Sequence, residues 1–108
     1  MTPKAVVQRP LARQDVDAAT AYYRAEAGAS VALGFIDDLD AAYGHLGQYP
    51  ASGGTRYAHE LSLPGLRSWT LARYPFVIFY VEHEAHLEVW RVLNARTDIP
   101  SWLEDGGS

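Results

Sequence analysis

Four histidines, thirteen carboxylates and no cysteine bound the chemistry open to this 108-residue chain. His83-x-x-His86, flanked by Glu82 and Glu84, has the donor types of a metal site. The same residues fill a connector between two apolar runs, which is the place of a solvated hairpin turn. Two turn histidines without a further group to orient them make no closed site, so the turn is the expected reading. His59 and Glu60 offer an acid and a base. No third group is placed to orient them, and loop surface is the expectation. His45 is expected to be exposed on a helix. Asp37, Asp38 and Asp40 flank the apolar pair Ile36 and Leu39 and read as a solvated face. Gly53-Gly54 lacks the preceding strand and following helix of a phosphate loop. Without cysteine there is no disulfide, thiolate ligand or thiol nucleophile. No catalytic residue, metal or cofactor is expected.

The arginines and tryptophans are more informative. Arg67 and Trp69 share one strand face by the period of two. Arg91 falls on the face opposite Trp90, with Val89 and Leu93. An arginine in an apolar alternation needs a partner. Two readings stay open: an internal ion pair to Asp15 or Glu60, or a cationic groove for an acidic segment of another protein. Arg96 lies just past that strand and is expected to be exposed. Trp69, Trp90 and Trp102 make a heavy aromatic load, which serves as core or as interface anchors.

Three β-type runs, 66–71, 76–81 and 87–93, must position these residues. Their connectors suit antiparallel hairpins and are too short for a crossover helix. The middle run is continuously apolar, so burial on both faces is expected. Residues 5–8 read as a first strand stopped by Pro10. Ala12, Val16, Ala19, Tyr23 and Ala27 mark one face of a helix that Gly28 ends. Ser30 is the expected cap of a second helix, striped by Ala32, Phe35, Ile36, Leu39, Tyr43 and Leu46. Residues 48–59 read as loop, 60–63 as an extended lead-in, and Pro64-Gly65 as a turn. One helical turn is expected at 101–104, with 104–108 frayed. The order β-α-α-β-β-β implies an α+β fold: a small antiparallel sheet with an N-terminal helical hairpin on one face, in a single domain spanning 1–108.

The net charge of −4 argues against general binding to a phosphate backbone. The apolar content of 48% supports a real core. The start lacks a signal-peptide pattern, and the run 76–81 cannot cross a bilayer, so a soluble cytoplasmic protein without membrane or sequence-specific nucleic-acid partners is expected.

The assembled pattern resembles the RelE/ParE toxins of bacterial toxin–antitoxin pairs. Ala12-x-x-Asp15-Val16, Ala19 and Tyr22-Tyr23 resemble the first helix of that family. Ala32-x-x-Phe35, Leu39, Leu46, Tyr49-Pro50 and Gly53 resemble the second helix and its exit. Leu66-Arg67 opens a strand as in the family. Tyr74-Pro75-Phe76-Val77-Ile78-Phe79-Tyr80 is the most distinctive match, and Val89-x-Arg91-Val92-Leu93 with Arg96-x-Asp98 resembles the last strand and its exit. RelE-like members cut mRNA on the ribosome. This chain has Phe76 where they tend to carry Arg, and residues 96–100 offer no Tyr or His. The resemblance therefore points to the ParE-like branch, although Asn94 stands where such chains often carry His. It implies inhibition of DNA gyrase by protein–protein contact, and neutralisation by a ParD-like cognate antitoxin with a disordered wrapping tail. Arg67, Trp69, Arg91, Arg96 and Trp102 are the implied antitoxin- or target-binding residues, with 96–103 the implied target contact. A ribosome-dependent mRNA endoribonuclease using Arg67, Arg73, Arg91 and Arg96, or a non-toxic binding protein on the same fold, are the alternatives.

Overall fold

The computed structural model describes residues 2–97 and 99–106. A first strand, β1 (Ala5–Gln8), leads into α1 (Pro10–Ala27) and α2 (Ala29–Gln48). Pro10 opens α1, where its missing N–H costs nothing. Gly28 separates the two helices at φ +93°, a conformation that side chains with a Cβ rarely adopt. α2 starts at once after it, so Ser30 lies inside the helix and caps nothing.

The segment read as loop is more ordered than expected. A 3-10 turn at Pro50–Ser52 precedes a short helix, α3 (Arg56–Glu60). The expected lead-in strand is instead the turn that ends α3, with Leu61 N–H on Tyr57 C=O at 3.0 Å. Then come β2 (Leu66–Thr70), β3 (Phe76–Glu82), β4 (His86–Asn94) and α4 (Ile99–Gly106). The expected fraying of 104–108 falls partly on residues 107 and 108, outside the described residues, and α4 runs to Gly106.

The sheet order is β1-β4-β3-β2. The three later strands form antiparallel hairpins, as their short connectors require. β1 corrects the expectation of a wholly antiparallel sheet: it runs parallel to β4, with Val6 opposite Leu87. The chain between them, through α1, α2, α3, β2 and β3, supplies the long connection that a parallel pair needs.

β3 is buried on both faces and divides two cores. Phe76, Ile78 and Tyr80 pack with Ala12, Val16, Phe35, Leu39 and Leu46 of the hairpin. Val77 and Phe79 face the other way, against Leu66, Leu93, Ile99 and Leu103, with Tyr57 and Leu61 partly covering them. The sheet is therefore covered on both faces, by the hairpin on one and by α3 and α4 on the other. A β-bulge opposite Phe79 and Tyr80 shifts the register of β4, so that Arg91 pairs with Phe79 but Val89 pairs with Tyr80. Val89 and Leu93 consequently lie in different cores, which overturns the simple alternation.

Candidate functional site

Arg91 sits just beyond this bulge and is 4% exposed. Its Nε donates to Asp15 Oδ2 and its Nη2 to Asp15 Oδ1, both at 2.7 Å. Its Nη1 donates to the Trp102 carbonyl at 3.2 Å, and its guanidinium carbon lies 5.2 Å from the Trp102 ring centroid. The hydrogen bonds to Asp15 push the Arg91 pKa up, while burial opposes them. Asp15 Oδ2 also accepts the backbone N–H of Val92 at 3.1 Å. One carboxylate thus joins α1, β4 and, through Arg91, α4. Of the two carboxylates considered from sequence, Asp15 is the partner. Glu60 instead accepts from Arg56 Nε at 3.1 Å.

Beside this pair lies a groove of about 330 Å³ between α1, the end of β4 and α4. Ala18, Tyr22, Phe76, Leu93 and Trp102 give it an apolar lining. Tyr22 is 63% exposed and Trp102 49% exposed, unusual for such large rings. Tyr22 had no signal as a surface residue, because in sequence it is one of two adjacent tyrosines on an amphipathic helix.

The other expected residues lie elsewhere. Arg67 Nη1 donates to the carbonyls of Gly53, at 2.8 Å, and Ala51, at 3.3 Å, tying β2 to the segment after α2. Trp69 is half-buried against the hairpin and stacks on His45, centroids 4.8 Å apart. β3 separates this pair from Arg91 and Trp102. Arg96 is exposed, its backbone N–H bonded to Asn94 Oδ1 at 2.9 Å.

His45 is half-buried rather than exposed, and meets Ser52 Oγ at 3.1 Å. Asp38 corrects the reading of its stretch as a solvated face. It is buried, and its Oδ2 accepts the N–H groups of Arg73 and Tyr74 at 2.9 and 3.0 Å, so it holds the β2–β3 turn to α2. The rings of His83 and His86 stack with centroids 4.8 Å apart, and His83 Nε2 meets Glu88 Oε1 at 3.0 Å. Among the described residues, no group of three or more His, Asp or Glu is placed to hold a metal ion. His59 is exposed on α3.

Residues 6–99 match the family model described as the ParE toxin of the type II toxin–antitoxin system, parDE. The chain belongs to the ParE toxin family. The matched span runs from β1 to the start of α4 and includes both Asp15 and Arg91. A solved structure from P. aeruginosa, titled as a chromosomal ParDE toxin–antitoxin system, superposes with a TM-score of 0.70. It is 24% identical, and the match covers 84% of this chain and 95% of that one, so it establishes the shared fold. No curated protein sequence matches the chain significantly. No helix among the described residues of this ParE-family chain is long and apolar enough to cross a membrane.

Proposed function

We propose that this chain is a cytoplasmic toxin that inhibits DNA gyrase by protein–protein contact and is neutralised by a cognate antitoxin with a disordered, wrapping tail. The observation that carries this reading is membership of the ParE family over residues 6–99. The P. aeruginosa structure, titled as a ParDE system, supports an antitoxin as partner. The geometry favours contact over RNA cleavage. Phosphoryl chemistry needs free cations to stabilise charge on the phosphorane. Of the four arginines such chemistry would use, Arg91 is buried in its pair with Asp15 and Arg67 is directed at two backbone carbonyls, which leaves only Arg73 and Arg96 exposed. The exposed groups are of the interface kind: Trp102, Tyr22 and Arg96 around the end of β4.

Arg96 and Trp102 are the target-contact residues of this proposal. Arg67, Trp69 and Arg91 serve by holding the surfaces that partners meet. Purified protein added to gyrase and relaxed plasmid tests the reading. The expected result is lost supercoiling with accumulation of cleaved DNA. Normal supercoiling at saturating protein overturns it.

A further inference from the structure

One stretch of sheet edge is left incomplete among the described residues. β1 ends at Gln8, opposite Val89, and the Arg9 N–H closes on the Val89 carbonyl at 2.9 Å. β4 continues to Asn94. In an antiparallel ladder alternate residues turn their backbone groups towards the partner. Ala95 N–H bonds to the Pro75 carbonyl at 2.9 Å, so by the register of β3 and β4 residues 91 and 93 also face β3. Val92 and Asn94 therefore face outward. Val92 N–H does so onto Asp15, and the Asn94 carbonyl accepts from Thr97 N–H at 3.0 Å. Among the described residues no hydrogen bond uses the Val92 carbonyl or the Asn94 N–H.

These two groups bracket Leu93. In a parallel pair, one residue of the incoming strand donates to one carbonyl and accepts from the N–H two residues further on. The Val92 carbonyl and Asn94 N–H are placed for that bond pair. An antiparallel strand could reach the same two groups through two of its residues, but it would leave a backbone group of each unmatched, because Asp15 already holds the Val92 N–H and Thr97 N–H already occupies the Asn94 carbonyl. A strand in the direction of β1 satisfies both groups with one residue, so the open edge favours that direction. The apolar groove, with Tyr22 on one wall and Trp102 on the other, lies against the same residues.

We propose that this groove takes an extended peptide segment running parallel to β4, in the lane that β1 leaves free. One of its residues pairs with the Val92 carbonyl and Asn94 N–H and sets a bulky apolar side chain between Tyr22 and Trp102. The occupant is the antitoxin tail; naming it rests on the reading under Proposed function. A second copy of this chain fits poorly. A self-standing interface buries roughly 800 Å² on each partner, far more than this slot can supply. The edges a copy could offer are also blunted: β1 lies between Pro3 and Pro10, and β2 is bridged at Ser68 by Gly54. A slender segment tethered by other contacts has neither difficulty.

Amide NMR of the protein titrated with acetyl-Ala-Leu-Ala-amide tests the site directly. Saturable shifts are expected at Val92, Leu93 and Asn94, with binding of acetyl-Ala-Glu-Ala-amide weaker by about tenfold or more. Ala18→Trp fills the groove from an exposed helix position and should abolish the shifts, while Ala21→Trp, on the same helix but outside the groove lining, should leave them. With the antitoxin bound, exchange of the Asn94 amide should slow by about tenfold or more, and Ala18→Trp should weaken binding by a similar factor. Absence of peptide shifts at 92–94 overturns the inference. So does an antitoxin complex in which Asn94 exchanges as in the free protein and Ala18→Trp binds normally. Peptide shifts without any neutralising protein would support the groove and count against the antitoxin reading.

Discussion

Asp15 and Arg91 lie 76 positions apart and meet through two parallel hydrogen bonds of 2.7 Å. The planar guanidinium matches the carboxylate on both oxygens, which a lysine ammonium cannot do. Because Asp15 also holds the Val92 N–H, the pair fixes α1 on the end of β4 and shapes one wall of the groove.

Breaking this pair from one side leaves a buried charge without its partner. Arg91→Ala or Asp15→Ala is expected to cost about 3–5 kcal/mol. Arg91→Met combined with Asp15→Leu should recover much of that loss, since neither charge remains to be desolvated. Urea unfolding of the two single variants and the double variant checks this. Additive losses in the double variant would mean that packing, and not charge pairing, dominates.

Asp38, midway along α2, has a comparable latch role against the β2–β3 turn. Asp38→Ala removes the acceptor of two N–H groups in the β2–β3 turn and should cost about 1–3 kcal/mol. Asp38→Asn keeps an acceptor oxygen and should cost less. Thermal melts rank the variants, and hydrogen exchange at the Arg73 and Tyr74 amides locates the effect.

These two carboxylates show what the chain discloses in one dimension. Helix and strand periods revealed the hairpin, the strands and the double burial of β3, because each is a local repetition of apolar residues. Asp15 was legible as a possible partner because Arg91 interrupts an apolar run and needs compensation. Asp38 was not, because a carboxylate beside an apolar stripe has the same pattern whether it meets water or the backbone of a distant turn. α3 escaped notice because five residues are too few to show a helical period. The parallel pairing of β1 and the bulge at Trp90 are tertiary choices with no local signature. Tyr22 and Trp102 become neighbours of one groove only when α1 and α4 are packed against β4.

Glu88 predicts a pH dependence. Hydrogen bonds from His83, Arg9 and Trp90 hold its pKa down to about 2, against the opposing effect of burial. The folded value lies below the unfolded one of about 4.3. Its contribution is therefore full above pH ~4.3 and is lost as the pH falls through ~2. Glu88→Gln should be less stable near neutral pH by about 1 kcal/mol, allowing for partial solvent screening. The difference from the parent should shrink between pH ~4.3 and ~2, as read from urea midpoints. A difference unchanged across that window would remove Glu88 as the titrating group.

The target-contact proposal for 96–103 needs point substitutions rather than deletion. Ile99 and Leu103 are buried in the second core, so removing the segment would damage the fold. Arg96→Ala with Trp102→Ala leaves both in place. Trp102 lends Arg91 its backbone carbonyl, which survives the change. The double variant should keep its melting temperature within a few degrees and lose most gyrase inhibition, a loss of about tenfold or more. Full inhibition by a folded double variant would move the target contact elsewhere.

Inducible expression of this chain alone in a bacterium, with mRNA integrity and the DNA-damage response read from the same culture, tests the central claim most directly. A gyrase-directed toxin predicts growth arrest with intact mRNA and an induced damage response. Growth arrest with fragmented mRNA and no damage response would contradict it and favour ribosome-dependent cleavage.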